Sequence, residues 1–185
     1  MRDYKEFVSD LNKSQKALLA VAGYIQASGY PVILPPHLVT PNPEQRYDYT
    51  DDMDAAFHFQ GKWNKIQVKG TNKSYQSIED YPYKMVTVDE TYKLEKQKND
   101  PPYCYFQVNQ ELTGAIQTLW STEPHWDTFS CVEQRQNGRE CVYRRCPIEL
   151  CHWKDLANPI NRRQIKLNSE QWLRDAVEIL GLARE

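Results

Sequence analysis

The stretch Asp52–Gly70 constrains this chain more than any other. Two runs, Met53–Gln60 and Trp63–Lys69, alternate apolar and polar residues and flank Gly61-Lys62, a Gly-X pair suited to a two-residue type II′ turn. The pattern predicts a β-hairpin in which Gln60 pairs with Trp63 and Asp54 lies opposite Lys69. One face then carries Met53, Ala55, Phe57, Phe59, Asn64, Ile66 and Val68, and is almost wholly apolar. The other carries Asp54, Ala56, His58, Gln60, Trp63, Lys65, Gln67 and Lys69. A carboxylate, an amide and an ammonium converge on that polar face. A half-exposed hairpin with an ordinary surface ion pair produces the same alternation.

The remaining elements are read around this hairpin. Apolar residues at Phe7, Leu11, Leu18, Val21, Ala22 and Ile25 predict a helix over Tyr4–Ser28, ended by Ser28-Gly29. Pro31–Leu34 reads as a short strand, and His37–Thr50 as a Pro- and Asn-rich loop leading to an acidic patch. After a Tyr-rich stretch (Tyr75, Tyr81, Tyr83) come a strand at Met85–Val88 and a charged helical piece at Asp89–Lys98. Tyr103–Val108 reads as a strand with a partner at Ala115–Trp120, and Asn137-Gly138 joins Thr128–Arg135 to Glu140–Arg145 as a second hairpin. Ile148–Trp153 reads as one more strand. Asn168, with Gln171 three residues on, caps a last helix whose apolar stripe is Trp172, Ala176, Val177, Ile179 and Leu180, with Gly181 as its stop. A helix, several antiparallel strands and a helix predict an α+β fold. No linker divides the 185 residues, so one domain is expected, with a core over about 4–120 and an added hairpin and C-terminal helix in 121–185.

Composition narrows the function classes. An apolar content of 40%, with five Trp and twelve Tyr, excludes a disordered tail, and no repeat of a fibrous or solenoid kind recurs. The apolar run Ala17–Ile25 is broken by Gly23 and falls short of the roughly 20 residues that cross a bilayer. The charged start, Met1-Arg2-Asp3-Tyr4-Lys5-Glu6, has no apolar signal region. A cytoplasmic or otherwise intracellular protein without a membrane partner is therefore expected. The net charge of −2 conceals segregation. Glu44, Asp48, Asp51, Asp52 and Asp54 face only Arg46 in their segment, whereas Lys62, Lys65, Lys69 and Lys73 follow with no acid among them. Acids beside basic stripes suit an enzyme holding a divalent metal and a phosphate backbone together, and equally an ordinary patchy surface.

An acid-ending loop followed by Asp54 and then Gln67-Val68-Lys69-Gly70 across a hairpin resembles the PD-(D/E)XK nuclease superfamily, in the variant with Gln in place of the second acid. The lead-in Gly29-Tyr30-Pro31-Val32 is similar to that of homing endonucleases of this fold. The resemblance covers Lys16–Thr71. It implies a restriction-endonuclease-like mixed sheet with flanking N- and C-terminal helices, and a divalent-metal-dependent DNA endonuclease using Mg²⁺ or Mn²⁺. By that likeness Asp54 is the metal ligand, Gln67 a neutral second ligand, and Lys69 the cation that orients water or stabilises charge on the phosphate. The family's first-helix Glu falls here on Leu18: either Gln15, one turn back, or an acid from Asp51 or Asp52 takes its place, or the site is impaired. Lys65, Lys73, Arg135, Arg139, Arg144 and Arg145 are the candidate DNA contacts. Cutting both strands with one site per chain implies a homodimer. The alternative is a non-catalytic DNA-binding or assembly protein that retains the fold.

Other constellations carry less. The five cysteines do not form a disulfide framework. Cys141, Cys146, Cys151 and His152, with Cys131 nearby, lack the paired Cys-x2-Cys knuckles of structural zinc, so buried unmetallated thiols are expected. His58 lies on the polar face of the hairpin, where an exposed strand histidine is the simpler reading.

Overall fold

A computed structural model describes residues 4–35, 53–133 and 139–159. In chain order these form α1 (Tyr4–Ala27), β1 (Val32–Ile33), β2 (Ala55–Phe59), β3 (Lys62–Gly70), β4 (Met85–Glu90), α2 (Thr91–Gln97), β5 (Cys104–Val108), β6 (Gly114–Leu119), β7 (Asp127–Glu133), β8 (Arg139–Pro147) and β9 (His152–Asp155). A short 3₁₀ segment, Trp120–His125, links β6 to β7. The result is α+β: a six-stranded mixed sheet in the order β1-β2-β3-β5-β6-β9 and a three-stranded sheet in the order β4-β8-β7.

The predicted hairpin is present, with a different turn. Phe59 pairs with Lys62 and His58 with Trp63, so the turn residues are Gln60-Gly61 and not Gly61-Lys62. Both have positive φ, 53° and 80°, the backbone of a type I′ turn, whose twist matches that of the flanking strands. The register therefore moves by two residues from the expected one. Side chains alternate with a period of two, so the shift leaves every residue on its predicted face. Ile66 and Val68 point into one core, while Lys65, Gln67 and Lys69 stay half-buried on the other side.

That first core lies under α1. Ala17, Val21 and Ile25 recur every four residues and pack with Ala55, Phe57, Ile66, Val68 and Phe106. The opposite face of the sheet is covered by a second core in which Val86, Val88, Leu94, Tyr105, Ile116 and Trp126 meet. Each fully buried aliphatic side chain in these layers contributes about 1.5–3 kcal/mol relative to exposure.

The six-stranded sheet is mixed, as expected: β3 and β5 run parallel, with Gln67 beside Tyr105 and Lys69 beside Gln107. Such a pair needs a long crossover, which here contains β4 and α2. The helical piece begins only at Thr91, so Asp89 belongs to β4. Ile148–Leu150 forms a 3₁₀ turn, and β9 starts at His152, not at Ile148. The second predicted hairpin pairs as β7–β8, with Cys131 opposite Cys141 and Glu133 opposite Arg139. The loop His37–Thr50, the Asn137-Gly138 turn and the helix from Asn168 lie outside the described residues.

Candidate functional site

Asp54 marks the point where the chain enters the sheet. Its N–H donates to the Ile66 carbonyl at 3.1 Å, and its carboxylate accepts the Val68 N–H at 2.5 Å. Ala55 is already paired with Ile66, so two residues address one and the ladder ends there. The side chain then takes over from backbone carbonyls as acceptor on β3. Asp54 thus meets β3 at Ile66 and Val68, rather than opposite Lys69 as the Gly61-Lys62 turn required. Its carboxylate is held to the backbone between Gln67 and Lys69.

Lys69 engages an acid that the sequence reading did not single out. Its Nζ lies 2.7 Å from Oδ1 of Asp89, whose side chain is 7% exposed, whereas that of Lys69 is 41% exposed. The same oxygen accepts the Glu90 N–H at 2.8 Å, and Lys93, one helical turn on, brings a second ammonium to 3.7 Å. Burial works against the Lys93 ammonium, but the charges of Asp89, Tyr92 and Glu90 outweigh it and hold its pKa above the usual lysine value. Asp89 turns inward because β4 bulges: Thr87 pairs with Arg145 and Asp89 with Arg144, leaving Val88 extra. Val88 and Asp89 are consequently both buried, a pattern that strict alternation forbids.

Tyrosines close the same end of the sheet. Tyr75 donates to the Gln107 carbonyl at 2.8 Å, and Tyr81 donates to the Gln107 side-chain oxygen at 3.2 Å. Tyr105, beside Gln67, donates to the Gln97 side chain at 3.3 Å. Burial raises all three phenols above the ordinary tyrosine value: Tyr81 to about 12, and Tyr75 and Tyr105 further. The nearby Asp89 charge adds to the shift at Tyr105.

The other named residues are dispersed. Gln15 sits half-buried on α1, and α1 covers the Ile66–Val68 face, whereas Lys69 meets Asp89 on the opposite one. Asp51 and Asp52 lie outside the described residues. Lys65 is ion-paired with Asp100, and the exposed Lys73 lies over the Tyr83 ring at 5.8 Å. Arg144 is turned onto Glu123 (3.1 Å) and the Trp126 carbonyl (3.1 Å). Arg145 binds Asp127 at 2.9 Å and stacks on Phe129 at 4.3 Å. Both guanidiniums are already engaged by protein groups. Arg139 is placed only as the β8 residue opposite Glu133, and Arg135 lies outside the described residues. His58 packs edge-on against Trp63.

None of the five cysteines is joined in a disulfide. Cys146 and Cys151 share a hydrogen bond that lowers the Cys146 pKa and raises that of Cys151. Among the described residues, no group of three or more His, Cys, Asp or Glu side chains gathers as a metal cage. No described helix is long and apolar enough to cross a membrane. Asp54 and Gln67 remain oxygen donors of the kind that hard divalent cations take. Comparison with protein-family models, with curated proteins and with solved structures finds no match to the chain.

Proposed function

We propose that the polar face of β3 is the active site of a divalent-metal-dependent DNA endonuclease with a restriction-endonuclease-like, PD-(D/E)XK core. The observation that carries this reading is the Asp54 carboxylate fastened to the Val68 N–H, between Gln67 and a Lys69 that a buried carboxylate holds in place. A mixed sheet preceded by a long helix also fits the expected core.

The donor set suits Mg²⁺ or Mn²⁺. Mg²⁺ commonly takes one or two carboxylates plus substrate phosphate and keeps several waters, so a closed protein cage is not needed. Asp54 and Gln67 would hold the ion; when bound, it polarises the phosphoryl oxygen and activates water. The Val68 N–H keeps the Asp54 carboxylate oriented without exhausting its acceptor capacity. Asp89 fixes the Lys69 ammonium, and the remaining Lys69 N–H donors would stabilise charge developing on the scissile phosphate. Asp89, and not a first-helix acid, completes the charge balance. One such site per chain calls for two copies of the chain to cut both DNA strands.

The test is supercoiled plasmid incubated with Mg²⁺ or Mn²⁺, and with chelator, using wild type, Asp54→Ala and Lys69→Ala. Divalent-dependent nicking that falls at least about 10²-fold in both variants supports the site. Cleavage unchanged by both substitutions, or no cleavage by the wild type, overturns it. A second reading, a non-catalytic DNA-binding or assembly module, is favoured by the closure of Lys69 onto Asp89, which a structural ion pair also produces. Salt-sensitive DNA binding without cleavage supports that second reading.

A further inference from the structure

At the other end of β3 lies a cavity of about 500 Å³ formed where the starts of β3 and β5 meet the end of β6. Its size falls in the range of small-molecule sites, roughly 300–1,000 Å³. Trp63, Trp120, Tyr103 and Pro101 line it, with Lys62 and Lys65 among the same lining residues. The two indoles are braced by other rings, Trp63 by His58 at 5.4 Å and Trp120 by Trp126 at 5.6 Å, whereas the Tyr103 ring packs on Phe57 and Phe59 on the α1 side of the sheet. Hydrogen bonds from Tyr103 N–H to the Lys65 carbonyl and from Trp120 N–H to the Tyr103 carbonyl tie the three strands together beneath it. Half-exposed, rigidly backed rings offer flat faces to a planar guest at little entropic cost.

We propose that this cavity binds an unpaired nucleobase of a single-stranded nucleic acid, with Lys62 and Lys65 meeting the adjoining phosphates. The proposal rests on the endonuclease reading and extends it to substrate strand conformation. Charge favours a nucleotide over an uncharged peptide: Lys65 is offset by its Asp100 partner, and the exposed Lys62 leaves the lining net positive. Geometry also favours it, because Trp63, Lys65, Gln67 and Lys69 project from one face of β3. Six residues of strand separate Trp63 from Lys69, about 20 Å of track between the stacking cavity and the proposed site of hydrolysis.

The experiment is fluorescence anisotropy of a labelled oligo(dT) 12-mer with the full chain in chelator, so that binding is read without cleavage. Trp120→Ala is expected to weaken binding about 5- to 150-fold, the effect of losing one stacked base. Lys62→Glu, an exposed change that keeps the packing intact, is expected to weaken binding and flatten its salt dependence. Oligonucleotide affinity unchanged in both Trp120→Ala and Lys62→Glu overturns the cavity. Binding that is sensitive to Trp120 and Lys62 in a protein that never cleaves plasmid upholds the cavity and overturns the endonuclease reading. Plasmid cleavage without oligonucleotide binding does the reverse.

Discussion

The Lys69 ammonium and the Asp89 carboxylate meet at 2.7 Å across the two sheets, β3 supplying the base and a bulge in β4 the buried acid. Removing Asp89 leaves the Lys69 ammonium without its anion at the rim of the second core, whereas removing Lys69 leaves the buried Asp89 only the longer Lys93 contact at 3.7 Å. The pair is only partly desolvated on the lysine side, so its coupling should be below that of a fully buried pair. A double-mutant cycle of Lys69→Met and Asp89→Asn, followed by urea unfolding, is expected to give about 1–2 kcal/mol of interaction. A coupling near zero would show that the two groups act independently.

Asp54 has separable structural and chemical roles. Asp54→Ala leaves the Val68 N–H without its acceptor and should cost about 1–3 kcal/mol of stability. Asp54→Asn keeps an acceptor oxygen for that N–H and should cost less than half as much, yet it removes the anionic ligand. Stability from urea midpoints and plasmid cleavage should therefore diverge in the Asn variant, which is nearly as stable as wild type and inactive.

The hairpin turn places Gln60 at φ 53°, a conformation that Asn tolerates better than Gln. Gln60→Asn should stabilise the chain by about 0.5–1 kcal/mol, and Gly61→Ala, at φ 80°, should destabilise it by about 1 kcal/mol or more. Opposite signs in thermal unfolding check the assignment of the turn.

Much of this architecture follows from periodicity that is visible in the residues. The α1 stripe and the alternation of β2 and β3 are local signals, and the face of each hairpin residue survived a misplaced turn because the error was an even number of residues. The turn itself was hidden because Gln is an uncommon occupant of the left-handed region, so Gly61-Lys62 looked better than Gln60-Gly61. Asp89 was hidden for a different reason. Alternation in Met85–Glu90 puts Val86 and Val88 inward and Asp89 outward, and only the bulge at Val88 reverses this. A bulge depends on the facing strand, β8, more than fifty residues later in the chain. The parallel pairing of β3 with β5 is non-local in the same way, and no short pattern encodes it.

Alkaline pH should expose the tyrosine wall. Tyr75, Tyr81 and Tyr105 are protonated in the folded state at pH values where an unfolded chain has ionised them, burial being the main cause. Above a pH of about 10 the native state binds more protons than the unfolded one, so stability falls as pH rises. Their contribution is fully present below that pH and is lost progressively through about 12, where Tyr81 titrates. Tyrosinate absorbance should show a set of phenols that ionise only with unfolding, and Tyr105→Phe should flatten the fall in the urea midpoint.

The account depends on one face of β3 gripping a divalent cation. Crystals grown with Mn²⁺ and measured at an anomalous wavelength test this most directly. The prediction is a manganese peak within coordination distance of the Asp54 carboxylate and the Gln67 side-chain oxygen, with Lys69 on the same side of the sheet. Manganese bound only elsewhere, or an Asp54 carboxylate that carries no ion at saturating Mn²⁺, would contradict it.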